Sequence, residues 1–300
     1  MNASEVRNER IGLKAGSLAL LAVVLWGGNS VSIKIGLEGM PPVAMAGARF
    51  LLGALTVAVG ALLSGIPLRV PRGRWMGLTG LGLLFCVQIG LLNVGTHLTN
   101  ASRSTVLICT YPFFTAFFAH FLIPGDRLST SKVAGLLLSF AGVTLVFAES
   151  LGTGYLLGDM LVLISGMLLG LRQVVIKRLV SGLHPFQVVF WQAVLSLPVF
   201  AVASALFEQN TVWELSSPVI GAVLFQGVVI AGFCFILMAS LLKRHRASTL
   251  GAFGFVTPVF GVLLSVLLLG EQLSPLLAAS LMLVAIGIVV VNRDAGESRV

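Results

Sequence analysis

Charge is scarce in this 300-residue chain: 10% of its residues are Asp, Glu, Lys or Arg, 57% are hydrophobic, and the mean hydropathy is +1.03. So little polar surface cannot cover a water-soluble globule, which leaves an integral membrane protein. Acidic residues are the rarest charges, 11 against 19 basic ones. Glu38, Glu149, Asp159, Glu208, Glu214 and Glu271 fall at or near the ends of apolar runs, with no clear carboxylate in mid-run. A buried titrating acid able to relay protons across a membrane is therefore not expected. His97, near the outer end of its run, or a peripheral acid is what is left for such a role.

Cysteine is nearly absent as well. Cys86, Cys109 and Cys234 lie inside apolar runs, and no CxxC or Cys/His spacing suits a metal or a redox pair. The chain has no GxxxxGK[ST] phosphate loop, no HExxH pair and no GxSxG elbow, which argues against an ATP-driven pump and against an intramembrane enzyme. No cofactor and no metal are expected. A net charge of +8 and a pI near 10.1 would suit nucleic acid, but the basic residues stand in short clusters between apolar runs rather than along one face. The expected partners are membrane lipid and a small-molecule substrate, with no nucleic acid.

What is present is a series of apolar windows. A hydrocarbon core about 30 Å thick needs about 20 helical residues per crossing. Ten windows meet that, roughly 16–37, 43–64, 75–97, 102–123, 131–149, 155–177, 186–206, 218–241, 248–269 and 275–292. Their continuous apolarity favours helices over barrel strands, which would alternate every second residue. The first run follows Arg7, Arg10 and Lys14 and lacks a small-residue cleavage site, so it reads as a retained anchor. Those three, with Arg69, Arg72, Arg74, Arg127, Lys132, Lys177, Arg178, Lys243, Arg244, Arg246, Arg293 and Arg299, fall in alternate connections. Both termini are expected in the cytoplasm.

The chain is also a duplication. Val31-Ser32-Ile33-Lys34, Gly39 and Pro42 recur as Val174-Val175-Ile176-Lys177, Gly182 and Pro185, each 143 positions later. Ala101-Ser102 and Pro112 recur as Ala247-Ser248 and Pro258, and Gly125-Asp126 with Leu128-Ser129 recurs as Gly270-Glu271 with Leu273-Ser274. Two units are expected, 1–150 and 151–300. With five windows between the copies, an odd number of crossings would set the second copy upside down relative to the first. The expected fold is all-α, with ten transmembrane helices in two inverted five-helix repeats.

Trp26-Gly27-Gly28-Asn29-Ser30-Val31-Ser32-Ile33-Lys34, then Pro41-Pro42 and Ala48-Arg49-Phe50, resembles the first two helices of EamA-type members of the drug/metabolite transporter superfamily. Ala101-Ser102-Arg103, Tyr111-Pro112-Phe113 and the two Gly-Asp/Glu-x-Leu-Ser segments are similar to the same family. Within it the chain resembles bacterial amino acid and metabolite exporters, including the aromatic amino acid exporter group. The resemblance implies a basket of ten helices around a central cavity, with alternating access by the two halves, in a bacterial inner membrane.

Several residues could carry such a function. Gly27 and Gly28 adjoin near the middle of the first window, at about 1 kcal/mol of helix propensity lost per Gly, and a break there would expose backbone polar groups to a substrate. Close helix packing through small residues is the other reading. Trp26 could stack on an apolar substrate or fill the bundle, with Asn29 and Ser30 beside it. Gln88, Asn93 and His97 on the third window, and Gln226 on its repeat mate, either line a polar cavity or make ordinary interhelical hydrogen bonds. Tyr111, Gln173 and Trp191 complete the candidate binding set. Pro112 and Pro258, which are repeat-related, are the candidate hinges. Arg49 lies within reach of the outer surface and is expected to snorkel there, the alternative being attraction of a substrate carboxylate. The function expected is export, by alternating access without a dedicated proton relay, of small amphipathic metabolites, foremost amino acids with large apolar side chains. The alternative is a drug, quaternary amine or other metabolite exporter of the same superfamily, with proton coupling open.

Overall fold

The computed structural model describes residues 11–123, 130–150, 154–209, 211–245 and 252–293. The repeat segments at Gly125–Ser129 and Ala247-Ser248, the basic residues Arg7, Arg10, Arg127, Arg246 and Arg299, and the expected boundary at 150/151 on its second side lie outside them. The described residues are helical: α1 Leu13–Gly27, α2 Asn29–Leu37, α3 Pro42–Leu63, α4 Trp75–Leu98, α5 Ala101–Ile108, α6 Tyr111–Leu122, α7 Thr130–Ser150, α8 Leu156–Val180, α9 Pro185–Phe207, α10 Ser217–Leu224, a π-helical stretch Phe225–Cys234 leading into α11 Phe235–Arg244, α12 Val256–Leu269 and α13 Pro275–Arg293.

The expectation of ten spans is corrected to seven. Among the described residues, seven helices are long and apolar enough to cross a membrane: Leu13–Leu37, Pro42–Leu63, Arg72–Leu98, Ala101–Leu122, Leu156–Val180, Pro185–Phe207 and Ser217–Leu241. The windows at 131–149, 248–269 and 275–292 become the shorter apolar helices Val133–Glu149, Val256–Leu269 and Pro275–Val290. Apolar content alone overcounts, because it ignores where a helix starts. A tight 3-10 turn at Ala252–Phe255 leaves α12 with 14 residues, or about 21 Å at 1.5 Å per residue. The inversion inferred from five intervening crossings loses its footing with the count. The apolar outer faces are those of a membrane protein, as along α3, where Leu51, Leu55, Val59, Leu62 and Leu63 are all exposed.

Helix starts are set by local chemistry. Pro42 occupies the first position of α3, where its missing N–H costs nothing. The next two amides donate to a carboxylate from far along the chain: Val43 N to Glu208 Oε1 at 2.7 Å and Ala44 N to Glu208 Oε2 at 2.9 Å. At α5 the Asn100 side chain accepts from Arg103 N. Glu271 accepts from Ala101 N, Ser102 N and the Ser102 hydroxyl at 2.6–2.9 Å. Each carboxylate also meets the positive end of a helix dipole. α3 ends where Gly65 adopts φ +64 and the Ile66 amide returns to the Ala61 carbonyl, a left-handed turn that glycine adopts without strain.

Packing follows the duplication. α4 lies against α8 as α2 lies against α10, α1 against α12 as α8 against α6, while α3 with α9, and α7 with α13, join repeat-related partners to each other. The main apolar core, with Phe50, Phe85, Phe200, Ile89 and Val106, lies between these elements. α3 and the π-helical stretch approach through small residues. A Cβ on Gly227 would stand 2.5 Å from Leu52 Cβ and 2.9 Å from the Arg49 carbonyl, and one on Gly53 would stand 2.8 Å from Ala231 Cβ. Gly227→Ala is expected to lower stability in detergent by about 1–3 kcal/mol through overpacking. Gly80→Ala on α4, where nothing lies within 4 Å, should hold or raise it. Paired melting curves of the two variants check this.

Candidate substrate-binding site

Three phenylalanines form the centre. Phe50 of α3 meets Phe85 of α4 edge-on at 4.4 Å between centroids, and Phe235, at the start of α11, stands 6.4 Å from each. Trp26 of α1 joins this cluster at its edge, 6.3 Å from Phe235, and Phe200 of α9 stacks on Phe50 at 6.2 Å. Edge-to-face contacts of this kind suit the ring quadrupole.

Two arginines stand on those rings. The guanidinium carbon of Arg49 is 4.7 Å from the Phe50 centroid; that of Arg172 is 4.8 Å from Phe85 and 5.4 Å from Phe235. Their residues are 2% and 5% exposed, so the expectation that Arg49 snorkels to the surface is overturned: its side chain turns inward. Arg49 Nη2 donates to Asn29 Oδ1 at 3.1 Å. Nε and Nη1 of both arginines are buried with no hydrogen-bond partner, and no carboxylate among the described residues pairs with either. Sequence reading did not single out this pair, because a lone Arg in an apolar helix fits a snorkelling cation equally well.

Buried amides stand on or next to the elements that carry these rings. Gln88 of α4 donates to Ser165 Oγ on α8 at 2.8 Å. Its repeat mate Gln226, in the π-helical stretch, donates to the Ser32 carbonyl of α2 at 2.8 Å. Both leave Oε1 buried without a partner, as does Gln192 of α9, and Asn93 Oδ1 is likewise unpartnered although its Nδ2 donates 3.0 Å to the Pro42 carbonyl. Ser30 is buried on α2, and Gln173 is half-buried on α8 beside Arg172. Tyr111, at the start of α6, interacts electrostatically with Arg172.

Two predicted residues are placed elsewhere. His97 is exposed near the end of α4, where its backbone carbonyl accepts from Lys34 Nζ at 3.2 Å. Trp191 belongs to a second, smaller core: its indole donates to the Leu68 carbonyl at 2.8 Å and its ring meets Trp75 at 4.7 Å. Of the hinge candidates, Gly28 is a one-residue interruption between α1 and α2 with near-helical φ −71. Gly27 lies where α1 crosses α12, a Cβ there standing 2.9 Å from Phe260 Cβ. Pro112 sits in the first turn of α6, just after the break at Cys109-Thr110, and Pro258 in the first turn of α12. A small apolar recess lined by Thr110, Phe113, Phe114, Phe140, Val143 and Leu163 adjoins that break. It is too small to hold a ligand of ordinary size.

Asp159, in the first turn of α8, is fully buried. Arg103 of α5 donates to it from Nε at 3.0 Å and Nη2 at 2.6 Å, and to Glu149 from Nη1 at 2.8 Å. The Thr99 hydroxyl adds a third donor to Asp159 at 2.7 Å. Through Arg103, Asp159 and Glu149 tie α5, α7 and α8 together.

The comparisons with known proteins fit this arrangement. The model of the EamA-like transporter family matches twice, over residues 13–148 and 156–293. The chain belongs to that family. It is 28% identical over 287 residues to a probable amino-acid metabolite efflux pump of Escherichia coli (strain K12), covering 92% of this chain and 93% of that one. To the uncharacterized transporter YoaV of Bacillus subtilis (strain 168) it is 23% identical over 276 residues, 90% and 94% of the two chains. A crystal structure with TM-score 0.72 and 22% identity, covering 93% of this chain and 98% of that one, has the same fold. The EamA chain is a multi-pass, all-α membrane protein of a transporter family, and its three buried cysteines are free.

Breaking a buried pair by removing one partner costs about 3–5 kcal/mol. Asp159→Asn is accordingly expected to lower the melting temperature far more than Glu149→Gln, whose carboxylate is 22% exposed. Fluorescence-monitored unfolding in detergent compares the two.

Proposed function

We propose that this protein exports small amphipathic metabolites across the cell membrane, foremost amino acids with large apolar side chains, by alternating access of its two sequence-related halves. The observation that carries the reading is the cluster of Phe50 and Phe85, both buried, with half-buried Phe235 and Trp26, together with the buried amide oxygens of Gln88, Gln192 and Gln226, which have no partner. Aromatic faces offer an apolar side chain a stacking surface, and polar groups at membrane depth mark substrate pathways. The E. coli relative's description as a probable amino-acid metabolite efflux pump supports the same substrate class.

The two glutamines give the halves a reciprocal hold. Gln88 ties α4 to α8, and Gln226 ties the π-helical stretch to α2, so each half grips the leading helix of the other. Exchange of these contacts with a substrate amine or carboxylate would loosen one half against its mate, as alternating access requires. A bacterial inner membrane is the setting proposed, in keeping with the bacterial relatives. Transport runs down the substrate gradient: Asp159 is held by Arg103 and Thr99 and has no free role in proton relay.

Counterflow of labelled phenylalanine in proteoliposomes tests the proposal. Trp26→Ala and Gln88→Ala should each reduce flux several-fold, and an imposed pH gradient should change it little. Undiminished flux in both variants would remove the site assignment, and a steep pH-gradient dependence would remove the uncoupled mechanism.

A further inference from the structure

Resting on the carrier reading above, we propose that Arg49 and Arg172 together form a carboxylate-recognition site, so that the substrates carried are monocarboxylates and zwitterions, with cationic drugs and quaternary amines rejected.

The argument begins with cost. A charged side chain buried in apolar surroundings is retained only where something pairs with it, and a guanidinium does not escape by losing its proton. Arg103 shows how this chain pairs a buried arginine when the partner is its own, with two carboxylates and a backbone carbonyl. Arg49 and Arg172, equally buried, receive one neutral amide oxygen between them. The Arg49 guanidinium stands over the Phe50 ring and that of Arg172 over Phe85 and Phe235, which compensates part of the charge. Nε and Nη1 of each remain without an acceptor. A carboxylate presents acceptors to several such donors at once, in the geometry that guanidinium prefers.

The duplication makes the pair specific. Asn29 and Arg172 are equivalent positions 143 residues apart, as are Arg49 and Gln192. Each copy therefore holds one arginine and one amide at the same helical corner, with the two residue types exchanged. Arg49 comes from the segment 13–148 and Arg172 from 156–293, so the two cations that share the ring cluster are contributed by opposite halves. Left alone they repel. A substrate carboxylate between them turns that repulsion into a bridge from half to half, while its apolar side chain meets the rings. A cation in the same place adds a third positive charge.

Competition against labelled phenylalanine in wild-type proteoliposomes decides the matter without any variant. Phenylalanine and 3-phenylpropionate should compete, whereas phenethylamine, phenylalanine methyl ester and tetraethylammonium should not. Arg49→Gln and Arg172→Gln should each weaken phenylalanine by about 10- to 100-fold, the worth of a hydrogen bond to a charged group, and Arg→Lys at either position should recover part of the loss. Equal competition by the amine and the ester, or unchanged affinity in both Gln variants, would overturn the carboxylate site and leave the amino acid carrier standing. Flux of tetraethylammonium with none of phenylalanine would sink both. Should chloride alone raise the wild-type melting temperature and the two carboxylates add nothing to it, the pair holds an inorganic ion and the proposal also fails.

Discussion

Two positive charges enclosed in a protein that has almost no negative ones to spare are the constraint on which this structure turns. Both arginines are buried, and a buried guanidinium must be met by protein or by ligand. The chain meets them with π-faces and one asparagine. That solution demands three aromatic side chains from three different elements, α3, α4 and α11, within 6.4 Å of one another. Such close convergence in turn needs backbones that approach tightly, which is what the glycines on α3 and in the π-helical stretch permit. Glycine spacing, ring packing and buried charge are three aspects of one requirement.

The contrast with Arg103 sharpens the point. Both kinds of arginine are buried, yet one is saturated by Asp159, Glu149 and the Val146 carbonyl and the other two are not. A saturated cation fixes helices to one another. An unsaturated one at the boundary between the two halves keeps open the possibility of a third participant, and that is the difference between scaffold and site.

Much of this was legible in the sequence, for reasons that differ from residue to residue. The helical, membrane-spanning class followed from apolar content. The duplication was read from matched residues at a fixed offset. The number of spans did not follow, since hydropathy is blind to a 3-10 turn such as Ala252–Phe255, which shortens α12. Gln88, Gln226 and Asn93 could be recognised because an amide inside an apolar run is costly anywhere. The fate of Arg49 could not, because the side chain is long enough to reach either the surface or the centre, and only the packing of α3 decides which. Trp191 and His97 were singled out by residue type, and type alone does not fix which face of a helix turns toward which neighbour. Asp159 was read as a terminal acid; its place near the start of α8 was right, but the approach of Arg103 from 56 residues away carries no local signature.

Glu208 and Glu271 carry an implication for how the chain is made. The amides at the start of α3 wait for a carboxylate 165 residues downstream, and those of α5 for one 170 residues downstream. Both contacts reach from the front of the chain to its rear, so an N-terminal fragment leaving the ribosome has no internal acceptor for these donors. Final closure of the bundle is thus a late event in biogenesis, and the front half is poorly suited to persist in the bilayer without its mate.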